Sequence, residues 1–143
     1  AIQLNPTQAF VWDHLALHYL YTGKLDQADN ASRRAVSLGA YSPLKYSYET
    51  TSCMIASLRG HHERAVALGL SALSKKPRFT AAMRYTLASC GYLKRFEQAE
   101  TIAGQLKIAD PEFFDKSAQK QRFRLPLANA QELVLTGIQR AGY

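Results

Sequence analysis

Apolar residues along the chain recur at helical intervals. In "TQAFVWDHLALHYLYTG", Phe10 or Val11, Leu15, Tyr19 and Thr22 fall on one stripe with Trp12 and Ala16 beside it, and Gly23 ends the run. "KLDQADNASRRAVSLG" follows with Leu25, Ala28, Ala31 or Ser32, Ala35 and Leu38, closed by Gly39. Two helices joined by so short a turn must pack antiparallel. Alanine and glycine at their crossing let the axes approach where leucine would hold them apart.

The pair repeats. Gly23, Ala28 and Ala35 return as Gly60, Ala65 and Ala72, each 37 residues on, and Ala65 and Pro77 return as Ala99 and Pro111, 34 residues on. The opening Ala1, Leu4 and Pro6 carry the spacing of Ala72, Lys75 and Pro77, so residues 1–6 are expected to be the end of a truncated upstream repeat in a segment of a longer chain. The three extra residues of the first offset fall near "GAYSPLK", where Ser42 and Pro43 mark a loop and a helix start.

At these residues the chain resembles the tetratricopeptide repeat family, whose unit is a helix–turn–helix of about 34 residues. Trp12, Leu15, Ala16, Tyr19, Gly23, Leu25, Ala28 and Ala35 have the family's residue types at its intervals; Ala40 stands where the family has proline. The second unit keeps Gly60, Ala65, Ala72 and Pro77 but has Glu49 and Ser52 for Trp and Leu; the third keeps Phe96, Ala99 and Pro111 but has Met83, Thr86 and Lys94 for Trp, Leu and Gly. The resemblance implies an all-α, right-handed α–α superhelix with units at about 7–42, 43–77 and 78–111. Residues 112–143 are then a linker and a C-terminal capping helix, in which Pro126 opens the helix and Ala130, Val134, Ile138 and Ala141 line one face. Asp110 and Pro111 read as an N-cap and first-turn proline, making "EFFDKSAQKQ" a short helix. "PRFTAAMRYTLASCGYLKRFEQAE" and "LVLTGIQRAGY" are also similar to the C-terminal repeat segments of bacterial transcriptional regulators and adenylate cyclase-type signalling proteins.

The resemblance implies a concave groove lined by the first helix of each unit. Its positions here are Phe10, Asp13, Leu17, Leu20 and Tyr21, then Ser47, Thr50, Met54 and Leu58, then Arg84, Ala88 and Tyr92. Such a groove suits an amphipathic helix or extended peptide. Asp13, Leu17 and Thr51 occupy the places where members that grip acidic tails need cationic clamps. An alternative is that Leu17, Leu20 and Tyr21 pack against an upstream unit or the final helix.

Sites for chemistry are sparse. His14 and His18 sit four apart but lack further ligands at a fixed spacing, and "HHER" at 61–64 lacks the second histidine of a zinc helix and reads as a solvated helix start. Cys53 and Cys90 read as core residues rather than nucleophiles, and no glycine-rich phosphate loop or serine elbow is present. The expectation is a non-enzymatic chain without cofactor or metal.

Composition narrows the partner classes. With 47% apolar and 20% charged residues the chain is of the folded, soluble type, and no apolar run approaches a membrane span. The two helical cysteines fit a reducing, cytoplasmic setting. Net charge is +7; Lys116, Lys120, Arg122 and Arg124 around Phe123, with Lys75, Lys76 and Arg78, offer a possible nucleic-acid contact, which solvated helix ends explain equally. The expected function is an interaction or effector module of a larger bacterial regulator, binding a protein, a peptide or another domain of its own chain. Self-association or scaffolding, and nucleic-acid binding by the basic surface, are the alternatives.

Overall fold

The computed structural model describes residues 6–125, 127 and 129–143. Residues 1–5 of the expected upstream repeat, and Pro126, lie outside the described residues. The described residues are helical without strands: α1 (Pro6–Tyr21), α2 (Leu25–Leu38), α3 (Lys45–Leu58), α4 (His62–Lys75), α5 (Thr80–Leu93), α6 (Phe96–Ala109), a 3-10 helix (Pro111–Phe114), α7 (Lys116–Arg122) and α8 (Ala130–Arg140). Pro6 opens α1.

The turn chemistry repeats with the sequence. At each first turn the chain enters the left-handed region, at Gly23 (φ 80°), Gly60 (φ 79°) and Lys94 (φ 57°). The residue at that position donates its N–H three residues back, to Leu20, Ser57 and Gly91 respectively; the next donates five back, Lys24 to Tyr19 (2.8 Å), His61 to Ala56 (2.8 Å) and Arg95 to Cys90 (3.0 Å). This pairing satisfies carbonyls that a helix end would otherwise leave bare. At the second turn Gly39, Lys76 and Asp110 donate to Ala35, Ala72 and Leu106.

Lys94 holds glycine's conformation with a Cβ, which costs an L-residue about 1 kcal/mol. Lys94 is exposed, so little packing is lost with it. Lys94→Gly is therefore expected to raise the unfolding free energy by about 0.5–1 kcal/mol in urea titration. A loss of stability would show that the lysine stem packs usefully on the turn.

Successive helices pack on one another from α1 to α6, and the alternate helices α1, α3 and α5 also touch in sequence. Ala28, Ala65 and Ala99 are fully buried, which places the small residues of the repeat where the helices come together. Arg59 at the end of α3 reaches back to Asp26 (3.0 Å) and Asp29 (3.2 Å), and Arg95 to Glu63 (3.1 Å), so the turns of the second and third units pair ionically with the preceding unit.

The end of the chain departs from expectation. Asp110 stands at the expected N-cap position with Pro111 in the first turn, but its side chain makes no cap hydrogen bond: its carboxylate accepts from Arg122 Nε (2.9 Å) and Nη2 (3.1 Å), and the turn stays 3-10. Asp115, in an extended conformation, breaks the expected continuous helix before α7. α8 does carry Ala130, Val134, Ile138 and Ala141 on its buried side, yet it packs on α5, α3 and α7 and not on α6. It is the 3-10 helix that meets α6. The expected cap on the last unit is thus a helix laid across the first helices of the second and third units.

Candidate functional site

The face formed by α1, α3 and α5 is the candidate groove, and its third-unit part is filled. Gly91 of α5 and Gly137 of α8 bring two backbones together: a Cβ on Gly91 would lie 1.9 Å from the Gly137 carbonyl oxygen, and one on Gly137 would lie 2.4 Å from that of Ala88. The Tyr92 hydroxyl donates to the Leu133 carbonyl (2.6 Å). The Arg140 guanidinium lies over the Tyr92 ring at 4.8 Å. From α4, His62 stacks on the same ring with centroids 4.2 Å apart and planes 9° apart. Its Nδ1 is 3.0 Å from Ser89 Oγ, and Ser89 donates to Ser57 Oγ (3.1 Å), which joins α3, α4, α5 and α8. Burial, with the nearby charges of His61 and Arg140, holds the His62 pKa below the ordinary histidine value.

Preceding α8, the chain crosses the rest of the third unit. Phe123 is fully buried, edge-on to Tyr85 (5.5 Å) and Phe113 (5.9 Å), and Leu127 reaches the first turn, where a Cβ on Gly23 would meet it at 3.3 Å. Arg84 is half-buried near Asp110 and Arg122, its Nε is without a hydrogen-bond partner, and burial lowers its pKa. Arg84, Ala88 and Tyr92, expected to line an open groove, therefore face the chain's own C-terminal residues. Tyr92 in particular is a structural contact of α8.

The first and second units differ. Leu20, Thr50 and Leu58 are buried, contrary to their expected place on the open lining; Thr50 turns its hydroxyl to the Tyr46 carbonyl (2.7 Å). Asp13 is buried as well, and desolvation raises its pKa against a lowering hydrogen bond from Thr51. Phe10 (47% exposed), whose ring lies tilted against that of His14 (centroids 4.1 Å), and Tyr21 (49% exposed) stay open, with Leu17, Ser47 and Met54 half-buried. Phe10, Leu17 and Tyr21 fall on one helical stripe, seven and four residues apart.

The basic surface is largely engaged. Arg122 is bound by Asp110, Lys116 by the Tyr143 carbonyl, and Lys75 by buried Glu49 (2.9 Å), while Lys76 lies over the Tyr46 ring (5.2 Å). Lys120 and Arg124 are exposed. Burial pushes the Cys53 thiol up to about 12 and the Cys90 thiol to about 11, which keeps both protonated. Among the described residues no three His, Cys, Asp or Glu side chains converge as a metal site requires, and no helix is long and apolar enough to cross a membrane.

His62, Gly91, Gly137 and Arg140 are the residues sequence reasoning missed. His62 is no solvated helix start; it occupies the register position of Leu25 and Phe96, and a histidine in an apolar position was the available signal. The register also carries a trace of α8. Leu17, Met54 and Ala88 are equivalent, as are Leu20, Ser57 and Gly91, and both series end on a small residue in the unit where α8 lands. No family model, curated protein or solved structure matches the chain.

Proposed function

We propose that the chain is a tetratricopeptide-like superhelical module that binds a helix of a partner protein, or of another domain, along α1 and α3. The observation that carries this reading is α8 itself. It seats on α5 at Ala88, Gly91 and Tyr92, the register equivalents of Leu17, Leu20 and Tyr21 on α1. A face that takes a helix in one unit presents the same register positions in another, where Tyr21 is exposed and Leu17 half-buried over a buried Leu20, with Phe10 exposed on the same stripe. Phe10, Leu17, Tyr21 and Met54 are the contact residues in this reading, and the module serves a larger bacterial regulatory or signalling protein without catalysing a reaction itself.

Engagement of Arg122, Lys116 and Lys75 by the chain's own acceptors leaves the nucleic-acid alternative with fewer cations. The test is a pull-down with the full chain at physiological salt, with mass spectrometry and nucleic-acid quantification of the eluate. Tyr21→Ala is expected to lose the captured protein while stability changes by less than about 1 kcal/mol, as for an exposed side chain. Equal capture by wild type and Tyr21→Ala, or recovery of nucleic acid alone, would overturn the proposal.

A further inference from the structure

We propose that α8 is a proton-sensitive latch on the third-unit part of the groove: protonation of His62 sets a second cation against the Tyr92 ring that holds Arg140, and α8 loosens from α5. The inference rests on reading the α1, α3 and α5 face as a binding groove, and it adds a control on how much of that face is open.

The geometry places the charge. Nδ1 of His62 is held 3.0 Å from Ser89 Oγ, which is hydrogen-bonded to Ser57, and in either tautomer the added proton makes the ring a cation stacked on Tyr92. The groups around it favour the neutral ring. On α4 itself, His61 is a second potential cation, and Glu63 is drawn to Arg95 (3.1 Å). From α3, Arg59 is turned to Asp26 and Asp29. α5 presents Tyr92 and Ser89, and α8 presents Arg140. No carboxylate in this set is committed to His62. A histidine whose pKa is lowered in the docked state adds stability above its free value, about 6.5, and that contribution fades as pH falls below it. Arg140 and the Tyr92–Leu133 hydrogen bond both belong to the α8 seat, so the weakening falls there first.

Amide hydrogen exchange of the full chain at pH 7.5 and 5.5, corrected for intrinsic rates, tests the latch without any partner. α8 amides should lose protection at least ~3-fold on acidification, while α2 amides hold theirs. In His62→Gln, which keeps a donor for Ser89 but does not titrate, α8 protection should be the same at both pH values; in Arg140→Gln, where burial still disfavours the charged ring, the difference should shrink without vanishing. No loss of α8 protection in wild type, a loss that persists undiminished in His62→Gln, or a loss that α2 shares equally would overturn the latch. A failed pull-down with a normal exchange result would instead sink the groove reading alone.

Discussion

Gly91→Ala is expected to lower the unfolding free energy by about 3 kcal/mol and to strip exchange protection from α8 while α1 to α4 keep theirs. The added Cβ would meet the Gly137 carbonyl oxygen at 1.9 Å and the Ala141 amide nitrogen at 2.8 Å, backbone atoms of α8 and of its C-cap that no rotamer change can move aside. Either α8 rides outward or it leaves. In both cases Val134 and Ile138, now buried, lose contacts worth about 1.5–3 kcal/mol each when complete. Gly137→Ala should act in the same way, through the Ala88 carbonyl oxygen at 2.4 Å. Gly104→Ala is the control: a Cβ there meets nothing within 4 Å, and alanine in mid-helix should add about 0.5–1 kcal/mol. Urea titration separates the three. A Gly91→Ala protein as stable as wild type would mean that α8 does not sit on α5.

The same glycines show what could and could not be read from the chain alone. Helix pairing was legible because Gly23, Ala28 and Ala35 recur at fixed offsets, and an offset is a local property that hydrogen bonds at each turn then realise. Lys94 interrupts the glycine series at the third of those turns without changing the turn, since the lysine takes the left-handed backbone that glycine holds in the other two. The break at Asp115 is local: in extended backbone it stands at the N-cap of α7, and its carboxylate accepts from the Ser117 hydroxyl (2.6 Å). The seat of α8 lay further out of reach. Gly91 and Gly137 belong to no common repeat, so their meeting is a tertiary fact, visible in sequence only as the shrinking series Leu20, Ser57, Gly91. Of the groove positions carried over by register, Leu20, Thr50 and Leu58 are buried and Tyr92 meets α8.

Lys75→Met is expected to cost about 2 kcal/mol, with the loss largely recovered in the double variant Glu49→Met/Lys75→Met. Glu49 occupies the register position of Trp12 and Met83, so a carboxylate stands where the repeat places apolar bulk. Its side chain is 5% exposed, and Lys75 Nζ lies 2.9 Å from Oε1. Removing the lysine leaves a buried charge uncompensated, whereas removing both returns the position to the apolar type of its equivalents. Lys75 is itself 36% exposed and also donates to the Ser71 carbonyl (3.2 Å) and hydroxyl (2.8 Å), which keeps the expected loss below the 3–5 kcal/mol typical of fully buried pairs. Denaturant titrations of both singles and the double give the coupling directly. A coupling near zero would show that water already solvates Glu49, and would return Lys75 to the pool of cations open to an anionic partner.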